Sequence, residues 1–284
     1  MNNIFVSTGG YKNKKAIETA IELSKSGIKD FELSGGVYDE NLEKNLQDLS
    51  SRLNLQIHNY FPPPKDSFVF NLASLKEDVF LRSSQHVKTA IEITSSLKKK
   101  FFSFHAGFLI DPNPEELGQR IKRRTLQNRD LSLNLFIKRV NELGEYAEAF
   151  GVKLLVENNV SSANNFQEFG EDAFLFTEPG EAKILHSSLH SNVGILLDVA
   201  HLKVSAKTLN FQESDFIKAC NERILAYHLS DNQGLSDSND IVEDNSWFWK
   251  YLRKDAYFYT LEIYNVDADV LKNQIKLVNQ KIGN

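Results

Sequence analysis

The sequence predicts an α/β protein, a single-domain (β/α)8 TIM barrel spanning residues 1–284. Three observations predict it. Eight short apolar runs of strand type recur along the chain, bounded by turn residues. Segments with apolar residues at helical spacing lie between them, and alternating strand and helix calls for a parallel sheet with helices outside. The runs are nearly continuous in aliphatics, as strands buried on both faces are. Eight such units in 284 residues suit one barrel. A doubly wound open sheet is the competing topology.

Taken in order, strand one reads NIFVSTGG (3–10), and Lys14–Ser26 follows with Ile17, Ala20, Ile21 and Leu23 on one side. Strand two is DFELSGG (30–36) and strand three LQIHNYF (55–61). Leu75–Leu97 carries Val79, Val87 and Ile91 at helical spacing before strand four, FFSFHAG (101–107). Asp130–Phe150 repeats apolar residues at Leu133, Phe136, Ile137, Val140, Leu143 and Ala147, and leads to strand five, KLLVENN (153–159). The segment 158–193, rich in Asn, Ser and Gly, reads as a long loop. Long loops in compact domains are commonly functional covers, so part of it is expected to close over the site. Strands six, VGILLDVAH (193–201), seven, ILAYHLSDN (224–232), and eight, FYTLEIYN (258–265), complete the set, and Val266–Val278 closes the chain as a helix. No Gly/Ser linker, low-complexity segment or internal repeat divides it.

Hydrophobic residues make up 41% of the chain and charged residues 25%, the proportions of a globular protein with ample core. A net charge of -5 provides no electrostatic footprint for nucleic acid or an anionic membrane. The lone Cys220 excludes an internal disulfide and fits a reducing compartment. MNNIFVSTGG lacks the pattern of a secretory leader, and no apolar run approaches bilayer length. The expected setting is cytoplasmic, without a membrane partner.

The strand ends carry the chemistry. GILLDVAHLK (194–203) poses the question most sharply, since an aliphatic strand ends in Asp198 with His201 three residues on. Asp198 either caps the following helix or is delivered to a site. Strand three ends near His58, strand four at His105, strand five at Glu157, strand seven at His228 with Asp231 behind it, and strand eight at Glu262. In a barrel those ends converge on one rim, where active sites are built. Capping needs neither Glu nor His, so it does not account for six consecutive strands of this kind. Clustered carboxylates raise one another's pKa, and a divalent cation is the simplest way to keep several ionised near neutral pH. Three carboxylates with one imidazole suit Mn²⁺, Mg²⁺, Co²⁺ or Zn²⁺.

VENN on strand five, LDVAH on six, YHLSDN on seven and LEIYN on eight resemble the xylose-isomerase-like barrel superfamily over essentially the whole chain. That group includes sugar epimerases of the tagatose/psicose type and endonuclease-IV-type DNA repair enzymes. The resemblance to the epimerases implies one divalent metal held by Glu157, Asp198, His228 and Glu262, with His58, His105 and His201 binding substrate. It implies an isomerase or epimerase of a sugar, sugar phosphate or related polyol, in which Glu157 and Glu262 exchange a proton next to a cation-polarised carbonyl through an enediolate. The Arg that often follows the strand-seven His in those enzymes is absent from LSDNQGLSD, which leaves the substrate open, and LLVENNV lacks the strand-five lysine of xylose isomerase proper. The alternative is an endonuclease-IV-type zinc phosphodiesterase, with extra zinc at His58 and His105. Its third zinc needs an Asp-x-His where this chain has Asp237-Ser238-Asn239, and Asp231, Asp237, Asp240, Glu243 and Asp244 form an acidic lip that disfavours a phosphate backbone.

Lesser signals have simpler readings. STGG (7–10) and LSGG (33–36) either wrap a phosphate or turn a strand into a loop. Arg120, Lys122, Arg123 and Arg124 form a lid over an anionic sugar or a solvated helix face. KKK (98–100) suits a helix C-terminus. His186 and His190, at i and i+4 without a companion carboxylate, are structural. Trp247, Phe248 and Trp249 pack on the barrel, with a sugar-stacking wall or a homo-oligomer contact as alternatives.

Overall fold

The structure, a computed structural model, describes residues 3–11, 13–116 and 121–283. Eight parallel strands pair in chain order and close on themselves: β1 (Ile4–Ser7), β2 (Asp30–Ser34), β3 (Asn54–His58), β4 (Phe101–His105), β5 (Lys153–Glu157), β6 (Val193–Asp198), β7 (Ile224–Leu229) and β8 (Phe258–Leu261). Closure of β1 onto β8, with Phe5 opposite Thr260, rules out the open sheet.

The barrel is covered by α1 (Ala16–Ser24), α2 (Leu42–Ser50), α3 (Glu77–Ser96), α4 (Arg129–Glu148), α5 (Ala163–Phe169), α6 (Pro179–Ser188), α7 (Val199–Leu209), α8 (Glu213–Cys220) and α9 (Ala268–Gly283). Their inward faces follow the helical period. Ala16, Ile17, Ala20 and Leu23 of α1 are buried, as are Leu133, Phe136, Val140, Leu143 and Ala147 of α4. Among the described residues no α-helix joins β7 to β8. Residues 230–257 instead form an Asp231–Asp240 antiparallel bridge and a single 3₁₀ turn, Trp249–Tyr251. Phe248 is fully buried, its ring in contact with Trp247 and Trp249, and all three pack on the core. None of the described helices is long and apolar enough to cross a membrane.

The 158–193 segment differs from the expected open loop, because it contains α5 and α6. Both are short and mostly polar, and side-chain caps start them: Ser162 accepts from Asn165 N, and Glu178 accepts from Gly180 N and Glu181 N. Between them, Leu175 N donates to Gly107 O, and Asn159 Nδ2 donates to Ala106, Gly107 and Leu175 carbonyls, tying the segment to the end of β4.

The barrel interior explains how the site is delivered. Side chains alternate along a strand, so residues two apart point the same way. Phe5, Leu155, Leu196, Ala226 and Phe258 form an apolar plug inside the barrel. Two residues further along the same strands stand Ser7, Glu157, Asp198, His228 and Thr260, all buried. One strand period therefore changes the interior from a dry floor to a polar layer at the C-terminal rim.

Candidate metal centre

The terminal residues of β3, β4, β5 and β6 are His58, His105, Glu157 and Asp198, while His228 is the last but one of β7 and Glu262 follows β8 directly. Strand register sets them side by side: His105 is opposite Glu157, and Asp198 is opposite His228. One oxygen or nitrogen from each of Glu157, Asp198, His228 and Glu262 lies within 4.8 Å of the others, and all four residues are buried. His228 Nδ1 is 3.2 Å from Glu157 Oε1, 3.5 Å from Glu262 Oε2 and 4.0 Å from Asp198 Oδ2.

A second group shares one member with the first. His58 Nε2 lies 3.2 Å and His105 Nδ1 3.5 Å from Glu157 Oε2, while Glu157 Oε1 faces His228. Glu157 thus stands between two candidate ligand sets, one on each of its oxygens. His58 is oriented by Ser103 Oγ, 2.9 Å from its Nδ1. His105 is the outermost of the imidazoles, with 26% of its side chain exposed, and marks the open side of the centre.

Asp198 resolves the choice posed by its sequence, because it does both things. Its Oδ1 accepts from His201 N at 2.7 Å and caps α7, while Oδ2 is buried without a hydrogen-bond partner. His201, one turn into α7, is held by its Nδ1, 3.0 Å from the Asn158 carbonyl oxygen, which can only accept. Its Nε2 lies 3.3 Å from Asp237 Oδ2.

The donor set fits a divalent cation. Both Glu157 oxygens, Asp198 Oδ2 and His228 Nδ1 are buried and lack hydrogen-bond partners. Buried charges of this kind are costly unless paired or coordinated. Without a cation, protons carry part of the compensation. Burial raises the Asp198 carboxyl and the His201 charge opposes it, but Glu157, Asp237 and Glu262 add to the rise, which reaches about 7. Burial works against a charged His228, yet Glu262, Glu32 and Glu157 outweigh it and hold the imidazole well above its ordinary range. Glu262 moves the other way, to about 2, because His228 overrides the effect of burial. The imidazoles of His105, His228 and His58 likewise overcome burial to hold Glu157 well below the usual carboxylate range. His105 itself falls to about 4, chiefly through burial.

Reading strand ends misses four residues of the centre. Glu32 on β2 is fully buried, and its Oε1 lies 2.9 Å from His228 Nε2. Asn158 braces Asp198 from both sides, donating from Nδ2 to Asp198 O at 3.0 Å and accepting from Asp198 N at 2.8 Å. Ser7 Oγ donates to Glu262 Oε1 at 3.1 Å and lies 3.3 Å from the Tyr264 hydroxyl. The available signal was a charged residue inside an apolar run, as in DFELS, and the Asn after VE in VENN.

Other expected features find structural explanations. Glycines 9 and 10 of STGG make room for Tyr264: a Cβ on Gly9 would stand 2.7 Å from its hydroxyl, and one on Gly10 would overlap its ring. In LSGG, Gly35 and Gly36 adopt positive φ angles of 57° and 90°, a turn that glycine tolerates. Asp231 lies outside the cluster, because Lys203 Nζ at 2.6 Å and the Ser246 hydroxyl at 2.7 Å engage its two oxygens. Asp244 pairs with Lys281, and Asp240 accepts from Ser238, so the acidic lip is partly satisfied within itself. Asn239 donates its amide to Asp237 Oδ2 at 3.1 Å, where the zinc-hydrolase pattern needs a histidine ligand. Arg124 is paired with Glu116, Lys122 and Arg123 are exposed, and Arg120 lies outside the described residues. His186 pairs with Glu222, and His190 Nδ1 accepts from Asn192 N, both away from the centre.

A closed parallel barrel whose C-terminal rim gathers carboxylates and imidazoles defines a class of rim-site barrels. The chain belongs to the xylose isomerase-like TIM barrel family, whose sequence model matches residues 20–264. It is similar to the uncharacterized protein MJ1614 of Methanocaldococcus jannaschii, 26% identical over 208 residues that cover 71% of this chain and 69% of that protein. Among solved structures it is similar to a D-tagatose 3-epimerase-like protein, at 19% identity and a TM-score of 0.68 over 99% of both chains. It is also similar to the TTHB071 protein of Thermus thermophilus soaked with ZnCl2, at 18% identity and a TM-score of 0.65 over 98% of both chains. A third is D-psicose 3-epimerase with D-tagatose from Clostridium cellulolyticum, at 12% identity and a TM-score of 0.64 over 99% of this chain and 95% of that one. At these identities the structural likeness is one of fold.

Proposed function

We propose that this chain is a divalent-metal-dependent isomerase or epimerase of a sugar, sugar phosphate or related polyol. The observation that carries the reading is the buried quartet Glu157, Asp198, His228 and Glu262, whose converging donor atoms mostly lack partners. The epimerases among proteins of similar fold add to it.

A divalent cation in the quartet supplies Lewis-acid polarisation of a carbonyl or hydroxyl oxygen, which acidifies the neighbouring C–H. The chain's own groups do the rest. Glu157 and Glu262 reach the centre from β5 and β8, strands on different sides of the barrel, so one removes the substrate proton and the other returns it. Both are ionised at rest, so either can accept the C–H proton, and the one that returns a proton to the opposite face must first take one up from water. Ser7 holds Glu262 Oε1, which leaves Oε2 turned toward the quartet. His201, fixed between Asn158 and Asp237, orients the reacting oxygen, and His105 lines the open side where substrate enters, with the buried His58 behind it.

The test is exchange of a sugar C–H proton with deuterated water, using protein loaded with Mn²⁺, Co²⁺, Zn²⁺ or Mg²⁺ and a panel of ketoses, aldoses and their phosphates. Exchange at the carbon next to the carbonyl is expected for at least one member; no exchange across the panel overturns the reading. A zinc-dependent phosphodiesterase of the endonuclease-IV type is the second reading. It is favoured by the His58–His105–Glu157 group, which offers a second ion a site sharing Glu157. Cleavage of a duplex with an abasic site by the zinc-loaded protein supports this reading over the first.

A further inference from the structure

The polar layer contains one buried carboxylate that the proposed chemistry does not use. Glu32 is fully buried on β2, two residues short of the strand end, and its polar neighbours include Gln56, Thr260, His228 and His58, the two imidazoles converging with it within 4.8 Å. A carboxylate in that position is costly unless donors surround it. Two donors hold one oxygen: Gln56 Nε2 at 2.6 Å from β3 and Thr260 Oγ1 at 3.1 Å from β8, both on Oε2. Register places Gln56 directly opposite Glu32 and Thr260 directly opposite His228, so strand pairing builds this bracket. The other oxygen, Oε1, is left 2.9 Å from His228 Nε2; the pair is close enough to bond but misaligned for a hydrogen bond.

We propose that Glu32 is a positioning residue that fixes the tautomer of His228, holding the proton on Nε2 so that the Nδ1 lone pair faces Glu157, Asp198 and Glu262. This rests on the metal reading of the quartet given above. A neutral imidazole has one N–H and one lone pair. With the proton on Nδ1, the ring would present no lone pair to the quartet and would set the Nε2 lone pair against a carboxylate oxygen. With the proton on Nε2, the polar N–H is set against the Glu32 carboxylate 2.9 Å away, an attraction that does not need hydrogen-bond alignment, and Nδ1 becomes a ligand atom. The ring of His58 stands edge-on to His228, with centroids 4.7 Å apart at 68°, and limits rotation that would exchange the two nitrogens. A carboxylate behind a metal-binding imidazole orients the ring and raises its basicity, and losing such a partner typically weakens metal binding 10–100-fold.

Two measurements test the assignment. In zinc-loaded wild-type protein labelled with ¹⁵N-histidine, two-bond ¹H–¹⁵N correlations should place the His228 proton on Nε2 and the metal on Nδ1. This needs no variant, and the opposite tautomer overturns the proposal. In the Glu32→Gln variant, with folding checked by circular dichroism, zinc titration against a competing chelator should show roughly 10–100-fold weaker binding at unchanged stoichiometry. Wild-type affinity in the variant overturns the proposal, and so does loss of a whole equivalent of zinc, which would make Glu32 a direct ligand. Wild-type protein that takes up no zinc defeats the metal reading as well. Wild-type uptake with unaltered Glu32→Gln affinity defeats this assignment alone.

Discussion

Replacing Asp198 with Asn isolates the electrostatic load of the centre. The cap of α7 survives, since an amide oxygen accepts from His201 N as Asp198 Oδ1 does at 2.7 Å. What disappears is the charge on Oδ2. Burial, together with Glu157, Asp237 and Glu262, pushes the Asp198 carboxyl from 3.8 to about 7 despite His201. A folded-state value above the unfolded one means that the folded protein holds the proton more tightly. The stability contributed by this group is therefore fully present below 3.8 and is lost as pH rises through about 7. From about pH 5 to about pH 7 the loss is roughly 1.4 kcal/mol for each of two pH units, about 3 kcal/mol in all. Metal-free wild-type protein should thus lose roughly 6 °C in melting temperature relative to Asp198→Asn between about pH 5 and pH 8. Thermal melts of both proteins in EDTA at the two pH values read this directly. A divalent metal at about a hundred times its Kd should reverse the order, adding about 2.7 kcal/mol to the wild type and less to the variant. A stability difference that does not change with pH in EDTA refutes the reasoning.

Glu262→Gln keeps the volume but removes the charge from a residue proposed both to move the substrate proton and to hold the metal. Turnover should fall by about 10²–10⁴-fold with weaker metal retention, and unchanged turnover removes Glu262 from the mechanism. His58→Ala breaks the two groups that contain His58, His58–His105–Glu157 and Glu32–His58–His228, and leaves the quartet whole. In excess zinc, metal analysis should show one ion fewer per chain with the quartet still loaded; loss of all metal contradicts two separable sets. Gly10→Ala forces a methyl against the Tyr264 ring, an overpacking cost of about 1–3 kcal/mol that a lowered melting temperature would report. An unshifted melt would show that the ring is free to move.

The barrel was legible because strands buried on both faces are aliphatic throughout, and because a polar residue ending such a strand has one place to go. Leu155 and Glu157, Leu196 and Asp198, and Ala226 and His228 follow the same two-residue step from plug to rim, so the ring of strand-end residues could be read from the chain, while the choice of four among them came from the family resemblance. Glu32 escaped because Leu33 and Ser34 follow it before any turn; it shares the polar layer with its register partner Ser7, but β2 runs on past that layer, where a strand-end rule does not look. α5 and α6 escaped because they are short and polar, their starts set by Ser162 and Glu178 rather than by an apolar stripe. Asp231 follows His228 in sequence, but Lys203 of α7 engages it away from the cluster.

Anomalous scattering from a crystal soaked in manganese or zinc tests the central claim most directly. A peak is expected among Glu157, Asp198, His228 and Glu262, within coordination distance of their donor atoms. A centre without a peak at saturating metal, or an ion bound only elsewhere, would contradict it.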